Sequence, residues 1–188
     1  NCIQKDYENN GGRNIILLGH STGAVYICNL LKMADKHNLN PSIKFDVAFL
    51  AGACTFEQFS ETIEIHGSRI GKIRNFGMKD KAEQNDKLVP ILYPASLLYF
   101  VSGLLEKNSS GELIIDAPIV GMQRYYENRM PYRNDEHIQK VKNFLSEKTV
   151  WSIQSGNEGW QSESVSHGGF DDDECTIESV SRMITELT

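Results

Sequence analysis

Residues 17–24 read LLGHSTGA, and the five from Gly19 to Gly23 form the pattern G-x-S-x-G. Before them lies the continuous apolar run Ile15-Ile16-Leu17-Leu18. Such a run, bounded by glycine, predicts a strand buried on both faces. After them the period changes, because Val25, Cys28 and Leu31, with Ile27 and Leu30, recur at helical spacing. The segment 38–42, with Pro41, ends that helix. Ser21 is therefore expected on a sharp turn between a buried strand and a helix N-terminus. That geometry lifts a serine clear of the sheet and points backbone N–H groups at a developing oxyanion. Gly19 and Gly23 suit so crowded a turn, where a Cβ is expected to clash.

The same alternation continues outward. KFDVAFLAGAC (44–54) predicts a second strand of the parallel type, and TFEQFSETIEI a helix capped by Thr55. GKIRNFGMKD (71–80) alternates and then meets KAEQNDKLVP, which reads as a polar loop. PASLLYFVSGLLEK (94–107) reads as an apolar helix, and ELIIDAPIVGMQRYY as a short extended segment followed by a helical turn. NDEHIQKVKNFLSEK (134–148) places Ile138, Val141, Phe144 and Leu145 on one helical face. TVWSIQSG predicts the last strand, and DDDECTIESVSRMITEL the last helix. Strands alternating with helices imply an α/β fold with a mostly parallel sheet flanked by helices. The 188 residues suit a single domain spanning 1–188.

Composition narrows the function classes. A formal net charge of −6 argues against a nucleic-acid surface, which needs clustered Lys and Arg. YYENRMPYR (125–133) mixes aromatics with Arg129 and Arg133, and reads as a surface loop. No apolar run reaches the roughly 20 residues of a membrane span, and no signal peptide is visible. Cys2, Cys28, Cys54 and Cys175 show no C-x-x-C spacing, so neither a zinc site nor a thioredoxin-type motif is indicated. Free thiols in a reducing, cytoplasmic compartment are the expectation. The acidic run Asp171 to Glu174 lacks the alternating ligand spacing of a calcium loop and reads as a helix start.

A serine nucleophile needs a base. Of the five histidines, His20 is too close to Ser21 on the turn, and its ring is expected to point elsewhere. His37 and His137 read as surface residues, and His66 lies in a turn. His167 follows the last expected strand in a small-residue loop, where sites on parallel sheets gather. NIILLGHSTGA, the later GMKD, and SVSHGGFDDDE before a terminal helix together resemble the second half of an α/β-hydrolase. The resemblance covers nearly the whole chain. It implies a triad in the order serine, acid, histidine. Ser21 matches the nucleophile and His167 the base.

For the acid, Asp80 matches G-x-x-D as Gly77-Met78-Lys79-Asp80, while Asp86 precedes KLVP, a second part of the family's signature. Asp80 is the first choice, Asp86 the rival and Asp116 a weaker third. The run His167-Gly168-Gly169 follows the nucleophile rather than preceding it, so His167 reads as base, not as an oxyanion element. One oxyanion donor is then the Thr22 backbone N–H. Residues 96–133, rich in Leu, Tyr, Phe and Met, are a candidate cap or pocket-lining excursion.

The resemblance implies a serine hydrolase acting on a small-molecule ester or related acyl substrate, of carboxylesterase, lipase, thioesterase or amidase type, with no metal or organic cofactor. The alternative is a non-catalytic binding or scaffold protein of the same lineage. The family places several strands and its second oxyanion loop ahead of this motif, whereas here only residues 1–14 precede the strand. A partial domain is therefore expected, lacking those N-terminal strands, with the nucleophile strand beside an unprotected sheet edge. By itself such a fragment is expected to be unstable or inactive.

Overall fold

Each of the four apolar segments becomes a strand: β1 (Ile15–His20), β2 (Phe45–Leu50), β3 (Ile70–Met78) and β4 (Thr149–Ser152). They form one sheet in the order β1-β2-β3-β4, with every neighbouring pair parallel. The computed structural model describes residues 2–12, 15–86, 95–107 and 110–185. Seven α-helices occur among them: α1 (Cys2–Asn9), α2 (Gly23–Lys36), α3 (Phe56–His66), α4 (Asp80–Asn85), α5 (Leu97–Leu104), α6 (Glu136–Phe144) and α7 (Glu174–Thr185).

Parallel neighbours cannot be joined by hairpins, so helices carry the chain back across the sheet. Right-handed crossovers between strands added in one direction place α2, α3 and α6 on one face. There α2 packs on α3, and α3 on α6. The β2 residues Phe45, Val47 and Phe49 point into that layer and are wholly buried. Phe49 meets Phe59 of α3 edge-on at 5.3 Å, and Phe59 meets Phe144 of α6 at 6.0 Å.

The other face carries α7. Arg74 of β3 points there and is 5 % exposed. Its guanidinium donates to the Ser179 carbonyl at 2.7 Å and lies 4.1 Å from the Trp160 ring centroid. Those contacts offset the cost of taking the charge out of water.

The caps follow the sequence. Thr55 Oγ1 accepts from Gln58 N at 3.0 Å, and Asp135 accepts from Ile138 N at 3.0 Å. Each such cap contributes about 1 kcal/mol. Asp173 accepts from Thr176 N at 3.0 Å and Glu163 N at 2.9 Å, so the acidic run does start a helix.

Two local expectations are corrected. β1 is not buried on both faces: among the described strands it lies at the edge of the sheet, and Leu18 is 54 % exposed. The polar stretch after β3 is not all loop, because its first residues form α4. That helix buries Glu83 rather than an apolar side chain, so no hydrophobic period marks it. Among the described residues, no helix is long and apolar enough to cross a membrane.

Candidate active site

The turn between β1 and α2 holds Ser21 at φ 52°. This left-handed conformation costs a non-glycine residue about 1–2 kcal/mol. Three backbone hydrogen bonds hold it there. Ser21 N–H donates to the Leu50 carbonyl at 2.9 Å. The Ser21 carbonyl accepts from Ala53 N at 2.9 Å and from Ala24 N at 3.1 Å. The loop after β2 thus braces the turn.

The two flanking glycines play different parts. A Cβ on Gly19 would lie 2.7 Å from the Gly23 carbonyl carbon and 2.7 Å from Ile27 Cδ1. The first turn of α2 rests on the strand at that point. A Cβ on Gly23 would meet nothing within 4 Å. The expected clash therefore holds at Gly19 and is corrected at Gly23. Thr22, next along, donates its N–H to no backbone carbonyl among the described residues. That leaves the donor free for a negatively charged oxygen.

His167 opens a short 3₁₀ turn, His167–Gly169, and is 6 % exposed. Neither ring nitrogen has a hydrogen-bond partner among the described residues. Its backbone is held from two sides. The His167 N–H donates to Asp86 Oδ2 at 2.6 Å, and its carbonyl accepts from His20 Nε2 at 2.8 Å. A carbonyl can only accept, so His20 carries a proton on Nε2. The two rings lie 5.3 Å apart. Burial, and then the neighbouring His20, push the His167 pKa down to about 4. Its imidazole is therefore neutral at pH 7, with a lone pair available to take a proton.

The turn thus brings the Ser21 segment and the His167 segment together through His20. His20 was set aside on sequence grounds because it adjoins Ser21. Only the hydrogen bond to the far loop reveals its part. No hydrogen bond joins Ser21 to His167 among the described residues.

The three carboxylates separate clearly. Asp80 opens α4, and its Oδ1 accepts from Tyr99 Oη at 2.6 Å and its Oδ2 from Gln84 Nε2 at 2.8 Å. It makes no hydrogen bond to His167. Asp86, just past the end of α4, is the carboxylate bonded to the His167 segment. Asp116 accepts from Tyr125 Oη at 2.7 Å, from Arg124 Nη2 at 3.0 Å and from Tyr132 Oη. That network uses both its oxygens within residues 116–132. Between Asp80 and Asp86 lies Glu83, which is fully buried. Burial and the Asp86 and Asp80 charges push its pKa up to about 8, against a hydrogen bond from Ser96. One of its oxygens has no partner among the described residues.

Residues 117–126 of the expected excursion pack into the core over the strand ends. Val120 N–H donates to the Cys54 carbonyl at 2.9 Å, and Gly121 N–H to the Gly52 carbonyl at 2.9 Å. Leu113, Ile115 and Met130 of the same stretch are exposed. KLVP after Asp86, the rest of the expected signature, lies outside the described residues.

Comparison with protein-family models, with curated proteins and with solved structures finds no match in any of the three.

Proposed function

We propose that this chain carries the nucleophile and base of a serine hydrolase of α/β-hydrolase type, acting on an ester or related acyl bond. One observation carries the reading: a serine held at positive φ on a braced strand-to-helix turn, tied through His20 to a buried neutral histidine. Ser21 Oγ attacks the acyl carbonyl. His167 takes the hydroxyl proton and then gives it to the leaving group. The Thr22 N–H faces the negative charge that builds on the carbonyl oxygen. Water resolves the acyl-enzyme by the reverse path. The chemistry asks for no metal or organic cofactor.

Asp86 replaces Asp80 as the preferred acid. Its hydrogen bond to the His167 backbone supports this, and the engagement of both Asp80 oxygens elsewhere argues against Asp80. An acid in that role orients the imidazole and stabilises its charged form.

A second reading, a non-catalytic binding protein built on the same scaffold, is favoured by the two His167 ring nitrogens, which have no partner among the described residues. Covalent labelling with a fluorophosphonate probe separates the two. The hydrolase reading expects labelling of the folded chain that disappears in Ser21→Ala. A folded chain that stays unlabelled at millimolar probe refutes it.

A further inference from the structure

β3 runs over Ile70–Met78, but β4 pairs with it only from Asn75 to Met78. The amino half of β3 therefore extends past β4, and a slot of about 410 Å³ lies beside it. That volume falls within the roughly 300–1,000 Å³ of ligand sites. Lys72, Ile73 and Arg74 form one wall. Phe144 and Lys148 close it from the end of α6 and the turn after it, and Trp160 from the loop after β4. Ser21 follows the carboxyl end of β1, so the slot lies toward the opposite end of the sheet.

The hydrogen-bond ladder stops short at this slot. Asn75 N–H donates to the Lys148 carbonyl at 2.8 Å and Lys79 N–H to the Ser152 carbonyl at 3.1 Å. Odd-numbered residues of β3 thus turn their backbone groups toward β4. The even-numbered Phe76 faces β2, where its carbonyl accepts from Ala51 N at 2.8 Å. By this alternation Ile73 directs its N–H and carbonyl into the slot. The Lys148 N–H, next in the ladder, donates instead to the Leu145 carbonyl at 2.9 Å. Ile73 therefore has no backbone partner on that side among the described residues. It is only 7 % exposed, and buried backbone groups need partners.

The walls give that partner a chemistry. On a chain of net charge −6, Lys72, Arg74 and Lys148 line the slot, and none of the described residues lining it carries a carboxylate. Arg74 is already held by the Gly159 and Ser179 carbonyls. The two lysines make no ion pair among the described residues. Lys148 Nζ gives one of its three protons to the Phe144 carbonyl at 2.8 Å. Cations also alternate with an apolar residue along the strand. Arg74 points to the face that carries α7, and Lys72, two residues before, shares that face. Ile73 pairs with Val47 on the face that carries α6.

We propose that the slot docks an extended acidic peptide, which adds to the amino half of β3 as a short strand in line with β4. Its backbone pairs with the Ile73 N–H and carbonyl. Side chains on adjacent strands share faces, so its carboxylates lie beside Lys72 and Arg74 and its apolar side chains beside Ile73 and Phe144.

The test titrates the folded full chain with an acetylated, amidated pentapeptide of alternating glutamate and valine, read by NMR amide shifts. The expected result is a saturable shift centred on the Ile73 amide. Lys72→Gln combined with Lys148→Gln should weaken binding about fivefold, the scale of losing two partly exposed charge pairs. N-methylation of the inner peptide amides should abolish binding, as should lysine in place of glutamate. Three results overturn the proposal. The first is no saturable shift at millimolar peptide, or one centred away from β3. The second is unchanged affinity in the double variant. The third is equal binding of the N-methylated peptide or of free glutamate, which makes the slot a small-anion site. None of these outcomes depends on the chemistry of Ser21.

Discussion

Replacing Glu83 by glutamine should change how stability depends on pH. Glu83 is fully buried, and one carboxyl oxygen has no hydrogen-bond partner among the described residues. Its pKa rises from an ordinary 4.5 to about 8, chiefly through burial. A group whose folded pKa is raised gives stability that is complete below the unfolded pKa and is lost as pH climbs through the folded one. Between pH 4.5 and 8 the folded chain holds a proton that the unfolded chain has released. Folding stability from this group therefore falls by about 1.4 kcal/mol per pH unit. Over pH 5 to 8 the loss is about 4 kcal/mol, large against a typical total of roughly 5–15 kcal/mol.

Glu83→Gln removes the titration and keeps the shape. Its amide adds a constant offset that does not depend on pH. The measurement is urea unfolding of both proteins at unit pH steps from 5 to 9. The difference between them should move in favour of the variant by about 4 kcal/mol from pH 5 to 8, then level off. Taking the difference cancels every other titrating group. Parallel curves across that range would show that Glu83 titrates normally, and the reasoning about its burial would fail.

Gly19→Ala should destabilise by about 1–3 kcal/mol or more, because its Cβ meets backbone. Gly23→Ala should be neutral or stabilising by up to about 1 kcal/mol, since the space is open and alanine favours helix; thermal melts compare the two. Ser21→Gly should raise stability by roughly 1 kcal/mol by relieving the positive φ, while ending fluorophosphonate labelling; an unchanged or lower Tm refutes the strain argument. Asp86→Asn should slow labelling by roughly 10²–10⁴-fold and Asp80→Asn by far less; the reverse order reinstates Asp80. An NMR titration should find His167 protonating near pH 4, and a midpoint near 6.5 counts against its burial. With its folded pKa depressed, His167 contributes stability above pH 6.5 that is lost as pH falls toward 4.

The sheet was legible in the sequence because strands of a parallel sheet are continuous apolar runs, as in β2, where every residue is buried. The same rule overreached at β1. Ile15-Ile16-Leu17-Leu18 has the same composition whether one face or both are covered, and composition does not reveal which strand lies at the edge. α4 was missed for a different reason. The side chain it buries is Glu83, whose partner Ser96 lies 13 residues on. A charged residue in a polar stretch gives no helical period, and only the long-range contact makes its burial tolerable.

The candidate site divides along the same line. The turn that holds Ser21 was legible because its requirements are local: a strand before it, a helix after it, and a glycine where the two touch. His167 was singled out by order along the chain, and the structure brings its loop to the Ser21 turn through His20 without a hydrogen bond between the two side chains. The two candidate carboxylates were not separable, because Asp80 and Asp86 stand at opposite ends of one six-residue helix, α4. Both ends lie near the carboxyl edge of the sheet, so proximity in sequence to β3 favours Asp80 while the three-dimensional contact favours Asp86. What separates them is the hydroxyl of Tyr99, which occupies Asp80, and the His167 N–H, which occupies Asp86. Those partners lie 19 and 81 residues away. A short motif such as G-x-x-D records the local turn that presents a carboxylate. It carries no information about which distant donor takes it, and that choice decides whether the carboxylate meets the backbone of His167 or the hydroxyl of a tyrosine.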